Sequence, residues 1–402
     1  MTRVRSLLGI GAAAACAAAT SALAGGWLVR GRSVVVAPTT NSVIYVAGTA
    51  RADLDRTIAA MERRLAAAPA DAAAAVALAD ALLRQTRVTG NAGLAGRAES
   101  ALKTVLADEP MDYLARRSLA TVYLSQHRFR DAIRESDRCR AQLADDAWID
   151  GVLGDAHLEL GEYDDAFEAF ERMVALRPDA ASYARASYAR ELQGDLDGAL
   201  RLMTMAAAAT PPQDAESLAW HDAQIGHLYL ELERPRDARR AYERAAFVFP
   251  NHPFAIEGLA RVEAAEGHHQ LALGIIERAL ASSPTPSAAA FTGDMLEAMG
   301  MHDEAERQYA LAEAAWRVDA PEPSRLARFF AEHGRHLDEA VRLAESVDRD
   351  DIFTNDALAW ACFRRGDVDR ARTAIARALR TGTRDRGIRA HADAIRAAAG
   401  PR

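Results

Sequence analysis

Apolar residues recur along most of this chain at intervals of three and four, the spacing that lines one face of an α-helix. The stretch GEYDDAFEAFERMVALRP, residues 161–178, shows the unit. It opens on Gly161, sets the small Ala166 among the larger Tyr163 and Phe170, and closes on Pro178. A glycine readily ends a preceding helix in the left-handed conformation, and proline cannot continue one. A short helix between two such stops, with one small residue at a close crossing, is suited to stacking on helices like itself.

The same arrangement returns around Ala98, Ala132, Ala199, Ala238, Ala272, Ala305, Ala340 and Ala371, in steps between 31 and 39 residues that cluster at 34. Such a period predicts an array in which each unit touches only its neighbours. One unit, opening near Ala147 and Trp148, carries Leu153, Gly154, Gly161, Tyr163, Ala166, Phe170 and Pro178. Another carries Gly226, Tyr229, Ala238, Tyr242, Ala245 and Pro250, and a third Leu259, Gly267, Ala272, Ala279 and Pro284.

These residues resemble the tetratricopeptide repeat family over about residues 72–382, and the C-terminal half is similar to exported bacterial multi-repeat proteins of that family. The resemblance implies an all-α fold, a right-handed superhelical solenoid of stacked helix-turn-helix repeats, about nine in number. Two segments depart from the period. RQTRVTGNAG is expected to lengthen the connection inside the first unit, and Pro211-Pro212 to break the solenoid into halves near residue 212.

The flanks read differently. Residues 52–71 hold Leu54, Ile58, Met61 and Leu65 at helical spacing and are expected to cap the array, as is a helix within 383–402 at the other end. Residues 1–24 combine a basic start, an apolar run and small residues before Gly25, the pattern of a cleaved secretory leader. The apolar run from Ser6 to Val29 is also long enough for an uncleaved membrane anchor. Residues 25–51 form a linker in which SVVV and SVIYV flank APTTN, a tether or a short hairpin. The chain is therefore expected to be exported, periplasmic or extracellular, or else held at a membrane by its N-terminal segment.

Composition narrows the chemistry. Half the residues are apolar and only 6% aromatic, as alanine-rich packed helices require, and the net charge of −8 argues against nonspecific nucleic-acid binding. Cys139 and Cys362 lie more than six repeats apart and read as buried thiols rather than a disulfide. His268-His269 and the His333/His336 pair read as surface residues at helix ends, and Asp164-Asp165 as charges suited to a helix N-terminus. No catalytic set, cofactor or metal is expected.

In the family, first helices of successive repeats line a concave groove. The resemblance places Arg117, Thr121, Asp155, Glu159, Tyr188, Glu191, His227, Glu231, Arg261, Asp294, Glu297, Phe329, Glu332, Trp360 and Arg364 there. Acidic groups outnumber basic ones, which favours a protein or peptide partner bearing Lys or Arg, with Phe329 and Trp360 as apolar anchors. The family's carboxylate-binding Asn and Lys pattern is absent, since Arg117, Thr121, Asp155 and Glu159 hold those places. The leading expectation is a non-enzymatic interaction scaffold or adaptor of the bacterial envelope. The alternatives are an accessory subunit of an envelope or secretion complex and, last, an enzyme with an unrecognised site.

Overall fold

The computed structural model describes residues 50–398 apart from 90, 92, 251, 283, 284 and 319–322. The segment expected to be a cleaved leader or a membrane anchor, and the expected linker with its two β-branched runs up to residue 49, lie outside the described residues. Among the described residues all regular structure is helical. Helix α1 (Ala50–Ala67) precedes nine helix pairs: α2 (Ala72–Thr89) with α3 (Gly93–Asp108), α4 (Tyr113–Ser125) with α5 (Phe129–Gln142), and α6 (Ala147–Leu160) with α7 (Tyr163–Leu176). There follow α8 (Ala180–Leu192) with α9 (Leu196–Ala209), α10 (Ala215–Glu231) with α11 (Pro235–Val248), and α12 (Pro253–Ala265) with α13 (His269–Ser282). The last three pairs are α14 (Pro286–Ala298) with α15 (His302–Val318), α16 (Pro323–His333) with α17 (Leu337–Glu345), and α18 (Ile352–Arg365) with α19 (Val368–Ala378), and α20 (Arg386–Ala398) ends the series. Each pair packs on the next, which makes the molecule a solenoid.

The nine alanines that set the period all have no exposed surface, and each lies in the second helix of its pair. Glycines opposite them do the complementary work. A Cβ on Gly154 would overlap the Phe170 ring, and one on Gly226 or Gly258 would overlap the single ring of Tyr242. Tyr242 thus fills the space between the first helices of two successive repeats. Burying such a ring fully stabilises by about 2 kcal/mol relative to exposure, and Tyr309 fills the same place against Gly293.

Helix boundaries follow the local chemistry. Asp112, Asp146, Asp179, Asp195, Asp214, Asp351 and Asp367 each accept a backbone N–H of the helix they precede, a contact worth about 1 kcal/mol. Two expectations need correction. Helix α2 runs to Thr89, so much of RQTRVTGNAG is added helix rather than added connection. Pro211-Pro212 ends α9, yet Ala199, Met203 and Ala206 share one apolar cluster with Trp220, Ile225 and Leu228 beyond it, so the core crosses the proline pair. The extra residues lengthen α10 instead.

The chain also meets itself. The apolar cluster containing Tyr163, Phe170 and Leu192 of the third and fourth repeats contains Ile352, Ile388 and Ile395 of the C-terminal end as well. Residues nearly 190 positions apart are hydrogen bonded: the Asp350 N–H donates to the Leu160 carbonyl (3.2 Å), and the Ile352 N–H to the Tyr163 hydroxyl (2.9 Å).

Candidate interaction face

Most of the groove residues expected from sequence are joined to neighbouring repeats. Asp155 on α6 is 2% exposed and accepts Nε (2.9 Å) and Nη2 (2.8 Å) of Arg185 on α8. Arg261 donates to Glu257 (2.5 Å) and lies 5.0 Å over the Phe291 ring. Asp294 accepts the Tyr309 hydroxyl (3.0 Å) and sits 2.9 Å from His333 Nε2. Glu332 accepts Arg328 Nε (2.8 Å), and Arg364 donates to the carbonyls of Ala331 and Glu332, both at 2.9 Å. Near the other end Arg117 lies 3.4 Å from Asp146 and over the Trp148 ring, whose Nε1 donates to Thr121 (3.1 Å). Glu297 is exposed beside His302, 2.8 Å away.

The aromatic positions are corrected by the structure. Phe329, expected as an accessible anchor, is 2% exposed and packs on Trp316 and His333. Tyr188 is buried in the same cluster. Trp360 is half-buried, with His391 of α20 stacked on it at 4.1 Å and 12° between planes. Helix packing covers these rings because an apolar side chain on a first helix is equally well placed for the next repeat as for a partner. His333 is likewise bonded at both nitrogens, to Asp294 and to the Phe329 carbonyl (2.8 Å), rather than being a surface residue.

Three predicted carboxylates do form a row. Glu159, Glu191 and Glu231 stand at or near the C-terminal ends of α6, α8 and α10, where the helix dipole favours positive charge. Glu159 pairs with Arg349 (3.1 Å), Glu191 lies 3.0 Å from His227 Nε2, and Glu231 accepts the Arg386 backbone N–H (3.1 Å). Two of these partners flank α18 and α19: Arg349 lies in the connection before α18, and Arg386 is the first residue of α20. On the same turns, Arg380 donates to the Gly161 carbonyl (3.0 Å) and lies 5.0 Å over the Tyr163 ring, and Arg386 donates to the Leu230 carbonyl (3.1 Å).

The electrostatics follow from burial and pairing. Burial opposes the charge on His227, but the Glu191 carboxylate beside it wins and holds the imidazolium to about 9. Burial pushes Glu231 up to about 7 against the pull of His227, with Asp385 adding a like charge. Burial with no compensating charge lowers His221 and His252 to about 4. Among the described residues two clusters have the atom types of a metal site, His157/Glu162/Asp165 and Glu263/Glu266/His268. In both, arginine already neutralises carboxylates: Arg130 reaches Glu162 at 2.5 Å, and Arg239 reaches Glu263 and Glu266.

Residue-by-residue reading of the sequence missed Arg349, Arg380 and Arg386. For Arg380 and Arg386 the signal is the basic stretch RALRTGTRDRGIR that joins the last two helices, which by itself has no address, and Arg349 lies outside it.

Known proteins agree with this architecture. A family model described as tetratricopeptide repeat matches residues 152–214 and 224–286. Among curated proteins none matches the chain. Among solved structures, the human IFIT1 dimer with m7Gppp-AAAA is similar with a TM-score of 0.53 at 17% identity, over 77% of this chain and 72% of that one. The human IFIT1 dimer with PPP-AAAA gives 0.52 at 17% identity, over 77% and 73%. A tetratricopeptide repeat protein from Parabacteroides merdae gives 0.46 at 16% identity, over 59% and 93%. At these identities the two IFIT1 structures speak for the fold alone. With nine stacked helix pairs, a buried alanine at each crossing and the family model matched over residues 152–214 and 224–286, the chain has the fold of a tetratricopeptide repeat solenoid.

Proposed function

We propose that the protein is a non-enzymatic adaptor of the bacterial envelope that holds an extended, basic segment of a partner protein against the ends of its first helices. The observation that carries this reading is the row of Glu159, Glu191 and Glu231 at successive helix C-termini, where carboxylates and helix dipoles together attract cations. Export is supported by the leader sequence, whose basic start, apolar run and small residues suit secretion. IFIT1 structures hold m7Gppp-AAAA or PPP-AAAA. Here the acidic row and a net charge of −8 disfavour a polyphosphate ligand, so the partner is a protein.

The test is photo-crosslinking in cells from a reactive side chain placed at Gln193 or Glu233, both exposed beside the row, with cell fractionation in parallel. The expected result is one recurrent protein adduct whose captured segment is rich in Lys or Arg, formed in the envelope fraction. Absence of any adduct from both positions, or a chain confined to the cytoplasm, would overturn the reading.

A further inference from the structure

The contacts between the C-terminal connections and the third to fifth repeats have the form of a ligand in a receptor. Residues 346–351 and 379–386 approach three successive turns, those that follow α6, α8 and α10. Beside Ile352 and Ile388, which are buried in one cluster with Tyr163 and Leu192, the connections themselves are held through backbone groups and arginine: the Asp350 and Ile352 N–H groups on Leu160 and Tyr163, Arg380 on the Gly161 carbonyl, and Arg386 on the Leu230 carbonyl. Recognition of this kind reads an extended backbone and its positive charges rather than a particular apolar sequence.

The turn glycines show that the surface is fitted to a passing backbone. Gly161 and Gly194 both have φ of +78°. A Cβ on Gly161 would come within 2.7 Å of the Asp351 nitrogen and closer still to the Asp350 carbonyl, and one on Gly194 would overlap the Gly382 carbonyl. At the same turn in other repeats, Gly267, Gly300 and Gly366 also have positive φ, but a Cβ there meets nothing within 4 Å. Among the described turn glycines, those of the third and fourth repeats closely approach the backbone of another chain segment, whereas Gly334 of the eighth meets an arginine side chain, that of Arg364.

The arginine part of the contact is solvated: the side chain of Arg380, on the Gly161 carbonyl, is 29% exposed and that of Arg386, on the Leu230 carbonyl, 34%, and solvated charged contacts contribute little each. We propose that the turns after α6, α8 and α10 are a receptor surface for an extended, arginine-bearing protein segment, and that the chain's own C-terminal connections occupy it as an internal ligand which a partner must displace. This rests on the adaptor reading and adds the regulation of its binding surface: the face is self-blocked until a competing basic segment arrives.

A synthetic fluorescent peptide of residues 377–389, RALRTGTRDRGIR, serves as the probe, with binding to the full chain read by anisotropy. The unmodified chain should bind it weakly. The double variant Arg380→Ala/Arg386→Ala, which removes internal donors and leaves the receptor intact, should bind about tenfold more tightly. Adding Gly194→Ala to that variant should abolish the gain, as should alanine in place of the peptide's arginines. Helical circular dichroism verifies each fold, and the single variant Arg380→Ala, at a partly exposed position, should show an intermediate gain if the double variant does not fold. Equal binding by the unmodified and the donor-deleted chain, or tight binding that survives Gly194→Ala, would overturn the proposal. Probe binding as expected without any adduct in cells would instead count against the adaptor reading alone.

Discussion

Replacing Gly161 by alanine separates closure of the chain on itself from every other role of a turn glycine. Alanine at φ +78° carries a left-handed penalty of roughly 1–2 kcal/mol. Gly300, at φ +76° in the equivalent turn after α14, carries the same penalty, but its Cβ would stand in open space. The difference between Gly161→Ala and Gly300→Ala therefore isolates the clash with Asp350 and Asp351. The opposing atoms are backbone, so no rotamer relieves the overlap, and the loop at 350–351 must retreat by about 1 Å to reach ordinary contact.

That retreat breaks the Asp350 bond to Leu160, the buried Ile352 bond to Tyr163 and the Arg380 bond to Gly161. At about 1 kcal/mol net for each hydrogen bond, the closure loses roughly 2–3 kcal/mol. Native-state hydrogen exchange is the suitable assay, because it reads the opening free energy of single amides in an array whose repeats unfold semi-independently. In Gly161→Ala the Ile352 amide should exchange about 30- to 150-fold faster than in Gly300→Ala, that free energy converted at 1.4 kcal/mol per tenfold. Equal exchange at Ile352 in the two variants would show that the contact does not hold the C-terminal end in solution, and the reasoning above would fail.

Three further outcomes are expected. Asp155→Ala or Arg185→Ala leaves an uncompensated buried charge and should cost about 3–5 kcal/mol in urea unfolding, whereas the joint change Asp155→Leu/Arg185→Met should cost far less; equal losses in all three would deny the pair its role. His252 has its folded pKa lowered to about 4 by burial, so the stability it contributes is present above pH 6.5 and is lost as pH falls toward 4. His252→Phe should then remove roughly 2 kcal/mol of the wild type's loss between pH 8 and pH 5, and an unchanged acid limb would contradict this. His227 is raised to about 9 by Glu191, so its contribution is present below pH 6.5 and lost as pH rises through 9. Its ring resonances should titrate near pH 9 and clearly lower in Glu191→Gln; a midpoint unchanged by that substitution would refute the pairing.

The repeat architecture was legible because its signals are local. Ala166 must be small for its own two helices to cross, Gly161 must turn one helix into the next, and Asp179 must cap the helix that follows it. Each requirement is met within a few residues and recurs every 34 or so, so nine alanines without exposed surface could be found from spacing alone. The acidic character of the first-helix ends was legible for the same reason, since Glu159, Glu191 and Glu231 occupy related places in the period.

What those carboxylates touch was decided only in three dimensions. A first-helix residue at a given register faces either the neighbouring repeat or open groove, and spacing does not distinguish the two. Asp155 and Phe329 were thus read as groove residues and are buried within the stack. The meeting of Asp350 with Leu160 depends on the small rotation from each repeat to the next, summed over more than five repeats, and a slight change in any one would move the C-terminal end by several ångströms. The sequence by itself determined that helices stack in pairs and where most of them begin and end, because those choices are made between neighbours. The accumulated curvature of the whole solenoid determined that arginines near the C-terminus reach helix ends some 155 to 219 positions earlier, because chain closure is a property of the sum of all the repeat geometries.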